Sequence, residues 1–209
     1  REYCGEPVEV RGGLVRIWKK PLVGQKCLAF GDVAWGEKGA YSCCPIVHYP
    51  TFEQVAEIYG RPNDEELARA MYETCVEYNR AYLGVEANGE GIKVVNLLID
   101  LNYGDRMYHR GEDWRQNPKH RGWWTDQFTR REMLGDLRIY SDSQQIIPRC
   151  GDAITEMLNT VRDDHNRIVA SRGGYFDHVM AWGGLLQMRK FARFAATKAG
   201  AGKVSYAYS

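Results

Sequence analysis

The chain has 209 residues, 44% apolar and 26% charged, a composition that suits a globular domain and excludes disorder as the dominant state. Its 28 Lys and Arg against 27 Asp and Glu leave a net charge of +1, so no global field recruits a polyanion and any nucleic-acid contact must come from a local patch. Val94-Val95-Asn96-Leu97-Leu98-Ile99 is about the longest apolar run, far short of the roughly 18 residues of a membrane helix, and the protein is expected to be soluble. The opening Arg1-Glu2-Tyr3-Cys4 has neither an initiator Met nor the apolar core of a secretion signal, and reads as the start of an excised piece of a longer protein.

In chain order, Lys26 to Ala34, Ala40 to Tyr49 and Thr51 to Tyr59 read as three extended segments, rich in β-branched and aromatic residues and separated by Gly or Pro. They predict an antiparallel meander. Pro62-Asn63-Asp64 opens a helix capped by Asn63 or Asp64, with Leu67, Ala70, Met71, Thr74, Cys75 and Tyr78 at helical spacing and an end near Arg80. Tyr82 to Ala87 reads as a short buried strand, Gly89 to Leu101 as a second helix, and Arg106 to His109 as a further strand. From Arg110 to Trp124 the pattern breaks into a long loop or hairpin. Three more helices are predicted, Thr125 to Arg138 with Thr125 as N-cap, Cys150 to Arg162, and Tyr175 to about Ala196, before a tail, 200–209, expected to fray. No linker or repeat divides the chain. Strands first, then strands alternating with helices, argue for one α/β domain over 1–209 with a mixed sheet covered by helices.

Six cysteines, at 4, 27, 43, 44, 75 and 150, form no Cys-x-x-Cys pair and read as buried free thiols. A metal site at Cys43, Cys44 and His48 is disfavoured because strand neighbours point to opposite faces. Three carboxylates merit separate weighing. Asp32 follows the apolar strand Cys27 to Phe30, where a carboxylate is costly unless paired or bound to a cation; it reads equally as a turn residue and as a ligand. Glu86 ends the strand before Asn88-Gly89 and reads either as a ligand or as a cap for the next helix. Asp177 opens the last helix, where it favours the helix dipole, and shares a face with Ala181, Gly184 and Met188, small enough in the middle to let that face approach a sheet closely. Two strand acids and one helix acid form a set suited to holding hard cations roughly 4 Å apart for phosphodiester hydrolysis.

Phe30-Gly31-Asp32-Val33-Ala34-Trp35-Gly36, Tyr78-Asn79-Arg80-Ala81-Tyr82-Leu83-Gly84-Val85-Glu86-Ala87-Asn88-Gly89, Gly122-Trp123-Trp124-Thr125 with Thr129-Arg130, and Gly174 to Ala181 occur in an order that resembles the C-terminal nuclease domain of the large terminase subunit of tailed double-stranded DNA phages. The resemblance implies a ribonuclease-H-like α/β fold, an antiparallel meander plus parallel strands flanked by helices. It implies metal-dependent endonuclease cleavage of concatemeric viral double-stranded DNA in the host cytoplasm, with Asp32, Glu86 and Asp177 as catalytic ligands of Mg2+ or Mn2+, two ions in all. It also implies that the full-length protein carries an ATPase domain and meets a portal and a small terminase subunit, with no membrane partner. No Gly-x-x-x-x-Gly-Lys-Ser/Thr loop occurs, so this chain is not expected to hydrolyse ATP. Two positions depart from the family pattern: Ala40 stands before Tyr41-Ser42 where an acid is common, and Tyr175-Phe176-Asp177 stands where His-Asp-Asp is common. The 110–124 segment interleaves Arg110, Arg115, Lys119 and Arg121 with tryptophans, and reads either as a phosphate-contacting loop, joined by Arg130, or as a solvated loop anchored by its aromatics. Arg131, Arg149, Arg162 and Arg167 are weaker candidates for DNA contact. A junction resolvase or another ribonuclease-H-like nuclease, and a non-catalytic portal or DNA docking domain, are the competing functions. Glu156 reads as a residue distant from the acidic set.

Overall fold

The computed structural model describes residues 5–34, 40–165, 167–172 and 174–194. Cys4, the segment 35–39, the expected end of the last helix at Ala196 and the tail 200–209 lie outside them. Six strands form one sheet: β1 (Glu9–Arg11), β2 (Val15–Ile17), β3 (Cys27–Gly31), β4 (Ser42–His48), β5 (Glu53–Gly60) and β6 (Tyr82–Val85), ordered β1-β2-β5-β4-β3-β6. The expected meander is β3-β4-β5, antiparallel throughout, whereas β6 joins β3 in parallel with Gly31 opposite Val85. The β1-β2 hairpin, turning at Gly12-Gly13 and pairing with β5, is absent from the sequence reading because three-residue strands leave too little alternation to detect.

Alternation along the strands divides the core in two. On β3, Cys27 and Ala29 face one cluster while Leu28 and Phe30 face the other. The first face is covered by α1 (Asp64–Glu77) and α2 (Gly91–Asp100). Asn63 caps α1 reciprocally: its side chain accepts from the Glu66 N–H at 2.9 Å and its own N–H donates to the Glu66 carboxylate at 3.1 Å. Leu67, Met71 and Cys75 then bury against Val94, Val95 and Leu98 of α2. The second face carries α3 (Gln127–Asp142), α4 (Gly151–Leu158) and α5 (Asp177–Met188). Among the described residues no helix is long and apolar enough to cross a membrane.

Four expectations change in detail. Asp126, not Thr125, caps α3: its carboxylate accepts from the Phe128 and Thr129 N–H groups, a reach that a hydroxyl one residue earlier lacks. The segment expected as one helix from Cys150 to Arg162 is α4 followed by β7 (Thr160–Arg162), which pairs with β8 (Ile168–Ala170) in a separate ribbon; β-branched Thr160 and Val161 suit that pairing. Arg106 to His109 is not a strand but the end of a 3-10 turn, Gly104–Arg106, followed by isolated bridges from Met107 to Leu83 and from His109 to Arg121 and Gly122. The last helix runs from Asp177 to Met188, starting two residues later than expected and ending well before the expected end near Ala196.

The small face expected on α5 is its defining feature. Every residue from His178 to Met188 is buried, and a Cβ on Gly184 would sit 2.5 Å from Phe30 Cδ1 and closer still to the ring's Cε1 and Cζ. A helical glycine costs about 1 kcal/mol against alanine, and here contact between helix backbone and β3 offsets it. Gly184→Ala should therefore destabilise the protein by about 2 kcal/mol through overpacking, despite alanine's better helix propensity, as read from the midpoint of urea unfolding.

Candidate active site

The parallel register of β3 and β6 decides where the acids go. Leu28 to Gly31 pair with Tyr82 to Val85 residue for residue, and the Glu86 N–H donates to the Gly31 carbonyl at 2.9 Å, so the next positions, Asp32 and Glu86, stand side by side at the carboxyl ends of both strands. Alternation from Leu28 and Phe30 directs Asp32 to the face packed by α5. Its backbone is locked by reciprocal 2.9 Å bonds with Cys43. The Asp32 and Glu86 carboxyls are in hydrogen-bonding contact. Asp177, in the first turn of α5, adds its charge to the field at Asp32, and its Oδ2 accepts from the Tyr41 N–H at 3.3 Å.

Burial pushes the Asp32 carboxyl well above the ordinary carboxylate range, with the Glu86 charge and hydrogen bond and the Asp177 charge acting in the same direction and Arg130 opposing. Asp177 is raised as well, by burial first, against the Tyr41 N–H and the charges of His178 and Arg61, which lower it. Arg130, expected as a DNA contact, lies half-buried on α3 within the field of Glu86 and Asp32, its Nη1 3.1 Å from Met180 Sδ and its guanidinium 5.2 Å from the Phe176 ring centre. Asn88 sets this helix in place, exchanging 2.8 Å bonds with the backbone of Thr125.

The 110–124 segment runs back to the same strand edge. Trp123 bridges Glu86 through the backbone, its N–H donating to Val85 at 2.8 Å and its carbonyl accepting from Ala87 at 2.7 Å. Gly122 precedes it with φ of 69°, and a Cβ there would meet the Val85 carbonyl at 2.9 Å, so glycine alone fits. The basic residues of the segment divide into two kinds. Arg121 is a brace, bonded to Asn96 Oδ1 at 2.8 Å and to the Trp114 and Arg115 carbonyls, and Arg115 pairs with Asp105 while lying over Trp114. Lys119 is exposed, and the exposed Arg110 donates to the Lys119 carbonyl at 2.5 Å and lies 5.8 Å from the centre of the exposed Trp124 ring. Elsewhere Arg149 is tied to Glu53 and Arg167 to Asp163, while Arg131 is exposed on α3.

Beneath the acids lies a buried polar network that the sequence reading missed. Strict alternation puts Gln54 and Glu57 on opposite faces of β5, but a bulge at Val55 brings both to the α5 face. Gln54 Oε1 accepts from the Arg149 and Cys150 N–H groups at the start of α4, and its Nε2 donates to Glu57 Oε1 at 3.2 Å. His178 sits between Glu57, 3.2 Å from Nε2, and Glu156, 2.7 Å from Nδ1, and stacks on Tyr59. Burial opposes the imidazolium, yet Cys43, Cys150 and Glu156 around it hold its pKa above the ordinary value. Glu156 is therefore not distant from the acids: it anchors the residue next to Asp177 and helps to raise the Asp177 pKa. Of the expected thiols, Cys27, Cys43, Cys44, Cys75 and Cys150 are free and buried, with Cys44 in the opposite core.

A mixed sheet with its parallel pair at β3-β6 and helices on both faces is a ribonuclease-H-like fold, the one found in phage large terminase nuclease domains. The large terminase nuclease of thermophilic phage G20c with bound magnesium superposes with a TM-score of 0.69 over 88% of this chain and 92% of that one, at 14% identity. Its cobalt-bound form gives 0.68 at 13% identity over the same shares, and the nuclease domain of the Thermus phage P74-26 large terminase gives 0.62 at 13%, covering 87% and 88%. No protein-family model and no curated protein sequence matches the chain.

The raised Asp32 pKa has a sign that can be tested. The folded protein holds this proton more tightly than the unfolded chain, so stability falls as pH rises from the unfolded towards the folded pKa. In chelator, Asp32→Asn should raise the melting temperature near neutral pH by about 2–4 °C, as expected for ~1 kcal/mol in a chain of this length. The difference should shrink on acidification to pH 4, measured by calorimetry.

Proposed function

We propose that this chain is a single nuclease domain that cuts concatemeric viral double-stranded DNA during genome packaging, using Mg2+ or Mn2+ held by Asp32, Glu86 and Asp177. The observation that carries the reading is the side-by-side placement of Asp32 and Glu86 at the carboxyl ends of a parallel strand pair, with Asp177 brought in by α5. The donor chemistry suits the cations: an all-carboxylate set favours hard ions over zinc or copper, and a bound cation would offset the burial and neighbouring charge that raise the Asp32 pKa. Two ions bound there would activate a water and stabilise charge on the scissile phosphate. The protein's own contribution is positional. The β3-β6 register fixes Asp32 and Glu86, the Tyr41 N–H orients Asp177, and Arg130 offers a guanidinium beside the carboxylates for a phosphate oxygen. Lys119 and Arg110, with the exposed Trp124 next in chain to the Glu86-bridging Trp123, would track the DNA backbone without reading sequence. In the full-length protein, an ATPase domain, the portal and the small terminase subunit would deliver DNA to this site in the host cytoplasm.

Cleavage of supercoiled and linear plasmid with Mn2+, beside a branched substrate, tests the reading. Asp32→Asn, Glu86→Gln and Asp177→Asn should each slow cleavage at least about a hundredfold, because several kcal/mol of charge stabilisation are at stake and ~1.4 kcal/mol is tenfold. Cutting at the parental rate by a folded Asp32→Asn variant would refute the assignment, and strong preference for the branched substrate would favour a resolvase.

Replacing Arg110 and Lys119 together by Ala should weaken DNA binding and lower the salt slope by about 2, whereas Arg121→Ala should lower thermal stability instead. Fluorescence anisotropy across a salt series, paired with melting curves, separates the two kinds of residue.

A further inference from the structure

Cys43 Sγ, Glu57 Oε1 and His178 Nε2 meet in the closed space between the sheet and α5; Cys43 is the backbone partner of Asp32, and His178 follows Asp177 in the chain. These three residues present donor atoms that all lie within 4.8 Å of one another, and each residue is fully buried. Three features set them apart from the carboxylate group above. Soft and borderline donors, a thiol and an imidazole, replace an all-oxygen set. No DNA strand can reach them. The site also has its outer support already built, since His178 Nδ1 is 2.7 Å from Glu156 Oε1, the carboxylate-to-histidine contact that orients metal-bound imidazoles.

We infer that Cys43, Glu57 and His178 form a structural zinc site, with Glu57 Oε2, buried and without a hydrogen-bond partner, available as a second oxygen. Zinc bonds of about 2.0–2.3 Å in a tetrahedron require donor separations of about 3.3–3.8 Å. The structure has 3.2 Å between His178 Nε2 and Glu57 Oε1 and 3.9 Å between Cys43 Sγ and Glu57 Oε1. Glu57 Oε2 is buried without a hydrogen-bond partner and meets only the Arg16 guanidinium, at 3.7 Å. Charge balances on binding: one Zn2+ enters while the Cys43 thiol proton and the His178 Nε2 proton leave to solvent, so two positive charges replace two. The ion would join β4, β5 and α5, the elements that hold Asp32's partner strand and Asp177. With all donors buried, it is taken up as the chain folds and exchanges slowly afterwards.

The chain produced in zinc-supplemented medium and then dialysed against EDTA should retain about one zinc per molecule by inductively coupled plasma mass spectrometry. Protein produced with Co2+ should show a thiolate-to-cobalt charge-transfer band in the near ultraviolet and intense tetrahedral ligand-field bands, neither of which an all-carboxylate site gives. Asp32→Asn should keep the zinc and both spectral features. Cys43→Ser should lose the charge-transfer band or weaken it strongly, and Glu156→Gln should lower zinc affinity about 10–100-fold. Absence of retained zinc and of a thiolate band in the wild-type chain, a measurement that needs no variant to fold, overturns the inference. Zinc retained equally by Cys43→Ser overturns it too.

Discussion

The parallel pairing of β3 with β6 is the constraint on which the rest of the structure depends. It is the join between an antiparallel meander and a strand reached only after α1, and its register brings Asp32 beside Glu86. Two carboxyls in contact in a recessed site repel when both are charged, and the raised Asp32 pKa expresses that cost. The guanidinium of Arg130 offsets part of that cost locally.

The second face of the sheet exists to bring α5 onto that register. Gly184 removes the side chain that would hold the helix away from Phe30, and Gly183 backs onto Met133 of α3. The helix therefore rests on β3 by its backbone, and its first turn presents Asp177 to the strand ends while His178 drops into the space below. The two neighbours serve different surroundings. Asp177 meets the Tyr41 N–H at the rim, and His178 is sealed among Glu57, Glu156 and the thiols of Cys43 and Cys150.

Function in the basic loop is divided in a way its composition hides. Arg121 and Arg115 look equivalent to Lys119 along the chain, yet the first two are consumed in holding the loop in place, and Arg110 is partly engaged by the Lys119 carbonyl. The loop in turn delivers Gly122 and Trp123 to the edge of β6, so a segment rich in charge contributes backbone pairing beside Glu86 as well as exposed cations.

The sequence by itself determined what local physics controls. Alternation marked β3, β4 and β5, the Asn63 cap and helical spacing marked α1, and the small face of α5 was visible as glycine where glycine is costly. Each of these is decided within a few residues. The three acids stood out because each interrupts or ends an apolar element. Only the tertiary structure decided that Asp32 and Glu86 stand side by side, since a strand register is a relation between segments more than 50 residues apart. The Cys43-Glu57-His178 network was invisible for a sharper reason. One bulge residue, Val55, reverses the face to which β5 side chains point, and a period-two reading of the sequence then assigns Gln54 and Glu57 to opposite sides. Likewise, whether an arginine is a brace or a free contact depends on which carbonyls the fold places within its reach, and no pattern along the chain encodes that.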